Sequence, residues 1–250
     1  MAYTAAIAGK GGVGKSTIAA LLIKALAEKS GDVVLAVDAD PNSNLGDKLG
    51  VRVEKTIGDL REDLIKNAEQ ISSSTSKHEY VRYQIQLAMV EGDRFDLITM
   101  GRSEGPGCYC YINNVLRTFL DELMDDYAYI VIDNEAGMEH LSRRTTRKMD
   151  KLIVVSDPTK LGIETAIRIR KLAMNMNIDV KSSMLIINRC PHELPPIIQE
   201  MAIASEFSEV RKVPHDKRIE EMAVNGEPLI HIEKTNRAFR AVMEIAKDLK

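Results

Sequence analysis

The chain has 250 residues, 44% of them hydrophobic, and a formal net charge of -3 at pH 7. That length and apolar content suffice for a large core, and we expect a single domain over residues 1–250. Nucleic acid and anionic membranes attract basic proteins, and the net charge of this chain is weakly negative. Neither is therefore expected as a partner. Three cysteines are too few for a disulfide framework, which favours a cytoplasmic location.

Short apolar segments recur along the chain, and most are separated by amphipathic stretches of helical length. The apolar segments lie at 5–9, 33–38, 95–101, 129–133, 151–157 and 184–188. Their nearly unbroken Val, Ile and Leu content is typical of strands buried on both faces. Helical patterns occupy 15–29, 112–126, 138–148, 159–177 and 235–249, and two more helices are predicted within 51–92. This alternation predicts an α/β fold, doubly wound, with a mostly parallel sheet and helices on both faces.

The segment GKGGVGKST, residues 9–17, follows the first predicted strand and opens the first predicted helix. It matches the phosphate-loop pattern G-x-x-x-x-G-K-[ST] in full. Glycines let backbone N–H groups turn toward a phosphate chain, and the helix N-terminus adds a positive dipole end. We therefore expect ATP or ADP to bind here, with Lys15 at the β- and γ-phosphates and the Ser16 hydroxyl on Mg²⁺. The other expected contacts come from neighbouring residues of the loop: Gly11, Gly12, Val13, Gly14 and Thr17.

A second lysine, Lys10, lies inside the loop. With it, GKGGVGK resembles the deviant Walker A family, which includes the Min and Par ATPases and the nitrogenase iron protein. The resemblance implies a P-loop fold of this type and a homodimer that forms around ATP. It also implies that Lys10 reaches the partner's phosphates and stabilises the charge that develops on the transferred phosphoryl group, as an arginine finger does.

Carboxylates follow two of the predicted strands, where an open α/β sheet places its binding crevice. The segment VDADPNSNL, residues 37–45, resembles the family's first switch, and Asp40 in it would orient the attacking water. Asp133 ends an apolar strand in YIVIDNEAGMEH and has the Walker B position, which holds Mg²⁺. Asp38, Asp40 and Asp133 are thus the expected carboxylates around Mg²⁺, although an acidic pair after a strand is otherwise often a helix cap.

Two later segments resemble the elements with which the family recognises the adenine base. Asn188 and Arg189 end the predicted strand 184–188, and the segment KVPHDKRI contains a P-x-D element. The resemblance places this element, Pro214, His215 and Asp216, beside the base. By spacing alone, either segment would be an ordinary turn. Cys190 has no neighbouring cysteine, and we interpret it as a semi-buried thiol.

The segment GPGCYCYI, residues 105–112, places Cys108 and Cys110 one residue apart in a loop. A disulfide between them would close a small strained ring, so bridging is not expected. In an extended segment both thiolates can point to one side, and two chains of a symmetric dimer would then supply four ligands. Four thiolates suit Zn²⁺, Ni²⁺ or an iron–sulfur cluster, while the C-x-C pattern alone is also compatible with an inert pair.

The assembled motifs resemble the CooC-type ATPases, which are nickel-insertion maturation factors of carbon monoxide dehydrogenase, and the AcsF-type relatives that serve acetyl-CoA synthase. The matching segments are GKGGVGKST, VDADPNSNLG, GCYC, AGMEHLSR and INR. The resemblance implies a homodimeric ATPase that binds Ni²⁺ or Zn²⁺ at the paired C-x-C and delivers nickel to a client enzyme. Two alternatives stay open: an iron–sulfur reductase like the nitrogenase iron protein, and a positioning ATPase of the Min or Par type.

Overall fold

One eight-stranded sheet organises the computed structural model, which describes residues 2–66, 77–101, 118, 122–135, 148–175 and 179–249. The strands are β1 Tyr3–Gly9, β2 Val34–Ala39, β3 Val90–Glu91, β4 Phe95–Thr99, β5 Tyr129–Asn134, β6 Lys148–Ser156, β7 Asp179–Cys190 and β8 Glu209–Pro214. Their order in the sheet is β3-β4-β2-β5-β1-β6-β7-β8. All neighbouring pairs are parallel except β3 and β4. The predicted fold class and all six predicted strands are confirmed.

Helices connect most of the described strands. They are α1 Lys15–Ser30, α2 Leu45–Leu49, α3 Ile57–Lys66, α4 Lys77–Ala88, α5 Lys160–Asn175, α6 Pro196–Ile203, α7 Lys217–Asn225 and α8 Arg237–Asp248, with a 3₁₀ turn at Leu229–His231. The helices predicted at 15–29, 159–177 and 235–249 are confirmed as α1, α5 and α8. The predicted helix 138–148 lies mostly outside the described residues, and its last position, Lys148, begins β6 instead.

The sheet buries one apolar layer on each face. One layer joins alternate residues of the strands to α1 and α8, with Leu21 and Phe239 fully buried between them. The other layer joins the opposite set of strand residues to α3, α4 and α5, as for Leu60 and Ile85. Burial on both faces explains why the central strands carry unbroken apolar sequences.

The last helix, α8, is strongly amphipathic, and its apolar side packs on the protein. Phe239, Val242 and Ile245 are buried in the same layer as α1. The charged side chains of Arg240 and Lys247 lie on the exposed side. The apolar face of α8 therefore contributes to the core. Among the helices that the structure describes, none has the length and hydropathy of a membrane span.

The order of the strands determines where a ligand can bind. From β1 the chain proceeds to β2 and β4 on one side of the sheet, whereas β6, β7 and β8 extend the other side. A doubly wound sheet opens a crevice at the carboxyl ends of its strands where the winding direction changes. In this protein that point is the carboxyl end of β1, from which the loop 9–15 leads into α1.

Candidate nucleotide-binding site

The phosphate loop joins the end of β1 to the start of α1, as the motif predicts. Gly14 has a φ of 94°, in the left-handed region, and is the N-cap of α1. A Cβ atom at this position would collide with the amide Nδ2 of Asn188. The first helical hydrogen bond follows at once, from the Ile18 N–H to the Gly14 carbonyl (2.9 Å). Both the backbone angle and the crowding therefore require glycine at position 14.

The two lysines of the loop lie in different environments. Lys15 is only 7% exposed, and its Nζ lies 3.5 Å from the Lys10 carbonyl oxygen, to which it donates. The Lys10 side chain is exposed, as are Gly11 and Gly12 beside it. The buried Lys15 ammonium is placed to contact a phosphate bound in the loop. The exposed Lys10 ammonium can contact a group on another molecule.

Asp38 and Asp133 are neighbours across β2 and β5 at the carboxyl edge of the sheet. They are 0% and 1% exposed, respectively. The two oxygens of Asp38 accept backbone N–H groups, Oδ1 from Asp40 (3.1 Å) and Oδ2 from Leu45 (2.9 Å). Asp38 thereby fixes the loop 40–44 and the start of α2. Neither oxygen of Asp133 meets the distance and angle of a hydrogen bond to a described residue, although the Ser16 hydroxyl lies near enough to lower its pKa.

Burial dominates the electrostatics of both carboxyl groups. It raises the pKa of Asp133 from 3.8 to about 7, helped by Asp38, while the Ser16 hydroxyl and Lys15 act in the opposite direction. Burial likewise raises the pKa of Asp38 from 3.8 to about 6, although the backbone N–H groups of Leu45 and Asp40 lower it. Two carboxyl groups with pKa values raised in this way are characteristic of functional sites, where a cation or substrate compensates the charge.

The donors at this edge fit Mg²⁺. Asp133 has two buried oxygens without partners, and Ser16 is close enough to influence its pKa. No group of three or more His, Cys, Asp or Glu side chains within the described ranges is arranged to hold a metal ion. Mg²⁺ usually takes one or two protein ligands and completes its octahedron with water and phosphate oxygens, so Asp133 and Ser16 would be enough to hold it.

Asp40 has a local structural partner as well as its predicted role. Its Oδ1 accepts both the backbone N–H and the side-chain Nδ2 of Asn42, each at 2.9 Å. The side chain is partly exposed, at the mouth of the crevice. The tight turn that results holds Asp40 beside Asp38. Its orientation of the attacking water stays a prediction.

The predicted base-recognition residues come together at the ends of β7 and β8. Cys190 pairs with Pro214 across the strands, and its carbonyl accepts the His215 N–H (3.2 Å). Arg189 has a φ of 50°, next to an irregularity in the strand pairing. The Asn188 side chain is buried and donates from Nδ2 to the Val13 carbonyl (2.8 Å), which ties β7 to the phosphate loop.

Asp216 has a clear structural function. Its Oδ1 accepts the backbone N–H groups of Arg218 (3.0 Å) and Ile219 (3.3 Å), so it is the N-cap of α7. His215 contacts Glu220 through Nε2 (2.7 Å). Contact of either residue with an adenine base stays a prediction.

Three further residues belong to this edge although the sequence motifs did not include them. Thr99 lies beside Asp38 in the sheet, and its buried Oγ1 has no hydrogen-bond partner among the described residues. Asn134 donates from Nδ2 to the Ile7 carbonyl (2.9 Å) and so joins β5 to β1. Lys48, on α2, interacts electrostatically with Asp133. Thr99 is the last residue of β4 and Asn134 is the last residue of β5. A polar residue near the carboxyl end of a predicted strand, 95–101 for Thr99 and 129–133 for Asn134, is the signal that could have identified them.

The paired cysteines predicted as metal ligands, Cys108 and Cys110, lie outside the described residues, as does His140. The third cysteine, Cys190, is a free, buried thiol whose pKa is raised by burial. Cys190 is more buried than the predicted semi-buried thiol, with only 5% of its surface exposed.

The phosphate loop, the buried carboxylates and the doubly wound sheet define a P-loop ATPase. The family model described as an AAA domain (AAA_31) matches residues 1–186, and the chain belongs to this family. An uncharacterized ATP-binding protein of Methanocaldococcus jannaschii is 44% identical over 98% of this chain and 97% of its own length. The carbon monoxide dehydrogenase accessory protein CooC of Rhodospirillum rubrum is 31% identical, over 86% of this chain and 84% of its own.

Solved structures of the same fold include cell-division and partition proteins. The septum site-determining protein MinD of Pyrococcus horikoshii, complexed with Mg-ADP, has a TM-score of 0.69 at 19% identity and covers 100% of this chain and 96% of its own. A ParA family ATPase of Chlorobium tepidum also reaches a TM-score of 0.69 at 19% identity, over 100% of this chain and 99% of its own. The chain thus has the fold of the MinD and ParA ATPases.

The conformation of Gly14 makes a testable prediction about stability. Substitution Gly14→Ala should lower the free energy of unfolding by about 1–3 kcal/mol, because alanine is strained at positive φ and its Cβ collides with Asn188. Gly11→Ala is the matched control, since a Cβ there has open space around it. Urea unfolding without nucleotide would compare the two variants. Equal stability of both variants would contradict the assigned role of Gly14.

Proposed function

We propose that this protein is an ATP-hydrolysing metallochaperone that dimerises around Mg·ATP and binds Ni²⁺ or Zn²⁺ as cargo at Cys108 and Cys110. It would support nickel insertion into carbon monoxide dehydrogenase or acetyl-CoA synthase. The proposal depends on one observation, the C-x-C pair. It occurs in a chain of which 86% aligns with the accessory protein CooC at 31% identity. The 44% identical relative is an ATP-binding protein by name, which agrees with the nucleotide part of the proposal.

The chemistry of the proposed metal site follows from the number of thiolates. Each chain offers two adjacent soft ligands, Cys108 and Cys110, and a tetrahedral site for such a metal needs four. A two-fold symmetric dimer supplies the missing pair without any further ligand from the chain. A site shared between two chains would also link metal binding to dimerisation, because each event favours the other.

The described residues would perform the nucleotide chemistry. Lys15 would hold the β- and γ-phosphates from inside the loop, and Asp133 with Ser16 would bind Mg²⁺, which neutralises phosphate charge when it is bound. Asp40 would orient the water that attacks the γ-phosphorus. The exposed Lys10 of the partner chain would then stabilise the charge on the transferred group.

A positioning function of the Min or Par type is the second candidate, since MinD of Thermotoga maritima is 30% identical over 74% of this chain. Membrane positioning by an amphipathic helix requires a free apolar face. The apolar side chains of α8, Phe239, Val242 and Ile245, are buried against the protein. This packing favours the metallochaperone proposal over membrane attachment through α8.

The proposal predicts that Ni²⁺ or Zn²⁺ doubles the molar mass of the wild-type protein in solution. Cys108→Ser should remove the effect, because a serine hydroxyl replaces a thiolate ligand in each chain and leaves half of the site without its soft donors. Cys190→Ser is the matched control, since Cys190 lies at the end of β7, away from the C-x-C pair in sequence. Light scattering with and without each metal, under anaerobic conditions, would measure the change.

Metal-induced dimerisation that persists in Cys108→Ser would refute the metal assignment. An absorption spectrum of the anaerobically purified protein would separate the proposal from an iron–sulfur reductase, because a cluster absorbs visible light and Zn²⁺ does not. Metal analysis together with capture of carbon monoxide dehydrogenase or acetyl-CoA synthase on the immobilised protein would test the client.

A further inference from the structure

One polar side chain of β7 contacts the phosphate loop from two strands away. Ile186, two residues before Asn188, is buried in the layer that contains α1, and alternation along a strand puts Asn188 on the same face of the sheet. β6 lies between β7 and β1, and its Val155 is paired with Gly9, where the loop begins. The Asn188 side chain therefore lies on the side of the sheet where the loop leads into α1.

The contact is a buried hydrogen bond with close packing around it. Asn188 is 6% exposed, and its Nδ2 donates to the Val13 carbonyl oxygen (2.8 Å). A Cβ atom at Gly14 would collide with the same Nδ2, so the amide lies against both residues of the Val13–Gly14 peptide unit. The Val13 side chain is buried in the layer of α1. The hydrogen bond is thus held from both of its ends.

This bond fixes the direction of a backbone donor in the loop. In a trans peptide unit the C=O and N–H bonds point in opposite directions. Because the Val13 carbonyl points at Asn188, the Gly14 N–H points away from Asn188. Lys15 follows directly, and its Nζ lies 3.5 Å from the Lys10 carbonyl oxygen inside the loop. Backbone N–H groups at such a position, before a helix N-terminus, bind phosphate oxygens.

We propose that Asn188 is a positioning residue of the phosphate loop, which acts through the Gly14 N–H on the phosphates that ATP and ADP share. Its contribution is then the same for an adenine nucleotide, a guanine nucleotide and pyrophosphate, which has no base. This differs from the contact with adenine that the family resemblance implies for Asn188. The inference rests on the nucleotide-binding part of the proposed function.

The experiment compares ligands that share a diphosphate and differ in the base. Calorimetry at one Mg²⁺ concentration would give the affinities of ADP, GDP and pyrophosphate for wild type and Asn188→Leu. Leucine keeps the approximate size of the side chain and removes the donor, and Asn188→Ala tests the same bond if leucine does not fit. Asn225→Leu, at an exposed asparagine that ends α7, is the matched control. Urea unfolding without ligand would show which variants are folded.

In Asn188→Leu the affinities for ADP, GDP and pyrophosphate should each fall by about tenfold, because a buried hydrogen bond contributes about that factor. The ratio of ADP to GDP affinity should stay within about twofold of wild type, and Asn225→Leu should match wild type for all three ligands.

A loss of affinity for ADP alone would overturn the proposal, since Asn188 would then contact the base. Unchanged affinities in a folded but less stable variant would also overturn it, because the bond would then support only the fold. Wild-type protein that binds neither ADP nor pyrophosphate would instead reject the nucleotide site itself.

Discussion

Substitution of Lys10 by alanine is expected to abolish ATP hydrolysis while nucleotide binding persists. We expect kcat to fall by about 10³-fold or more, the effect of removing an arginine finger, and the affinity for ADP to stay within about threefold. The reason is the difference between the two lysines of the loop. Lys15 is buried with its ammonium inside the loop, whereas Lys10 is exposed and projects from it. Phosphate release and equilibrium binding of a fluorescent nucleotide would measure the two effects separately.

Two comparisons make this prediction specific. Lys15→Ala should lose nucleotide binding itself, because it removes the ammonium inside the loop. Lys171→Ala, a substitution on the exposed surface of α5, should leave both binding and turnover at the wild-type level. Normal turnover in Lys10→Ala would reject the family mechanism for this chain. Loss of binding in that variant would mean that Lys10 contacts the phosphates of its own chain.

Replacement of Asp133 by asparagine should remove Mg²⁺-dependent hydrolysis and also stabilise the nucleotide-free protein at neutral pH. The carboxyl group is buried, and this burial raises its pKa from 3.8 to about 7 even though the Ser16 hydroxyl and Lys15 act in the opposite direction. In the unfolded chain the same group releases its proton near pH 4. The wild-type protein therefore loses stability as the pH rises from about 4 to about 7, by about 2–4 kcal/mol in total.

Asparagine does not titrate, so this loss should be absent from the variant. The difference in the free energy of unfolding between Asp133→Asn and wild type should grow in favour of the variant from pH 5 to pH 8. Asp38, whose pKa is also raised, titrates in both proteins, and its effect on Asp133 is part of the measured difference. Urea unfolding without nucleotide and Mg²⁺ would measure the difference at each pH.

Activity provides the second readout for this substitution. Without the Asp133 carboxylate we expect Mg²⁺-dependent hydrolysis to fall by about 100-fold or more, because the metal loses its protein anion. Asp32→Asn, an exposed carboxylate before β2, is the matched control and should change neither stability nor activity. Identical pH profiles of stability for Asp133→Asn and wild type would contradict the burial argument. Wild-type turnover in the variant would contradict its role as a Mg²⁺ ligand.

The groups that would bind the metal and phosphates also lower the stability of the nucleotide-free protein. Thr99, Asp133 and Asn134 each have a buried side-chain oxygen without a described partner. Such groups destabilise a folded protein unless a ligand or water satisfies them. Their position at the carboxyl edge of the sheet, beside the phosphate loop, is where a metal and a phosphate chain can do so.

The fold was predictable because most strands of the sheet are buried on both faces. Segments such as 33–38 and 151–157 contain unbroken runs of five and four apolar residues, at 33–37 and 152–155, and this pattern does not depend on which strands are neighbours. The edge strands β3 and β8 were not predicted as strands. β3 has only two residues, and β8 mixes charged and apolar residues, of which only Val213 is buried. An edge strand lacks the second buried face that makes a strand visible in sequence.

The phosphate loop was predictable because all of its contacts come from one continuous segment. The carboxylates were predictable as strand ends, but their different environments were not. Asp38 is hydrogen-bonded to the backbone of its own loop and Asp133 has no described partner, although both are aspartates that end apolar strands. Asp216 has a helix-cap signal in the sequence, with Glu220 in the first turn of α7, whereas the resemblance to the family's P-x-D element predicted a position beside the adenine base.

The sequence by itself determined the class of fold, the phosphate loop and the candidate cysteine pair, because each depends on residues that are close together in the chain. Only the tertiary structure decided which distant residues share an environment. It placed the Asn188 amide on the Val13 carbonyl and the Asn134 amide on the Ile7 carbonyl. Such pairs depend on strand order and register, which arise from the packing of the whole sheet and leave no local pattern in the chain.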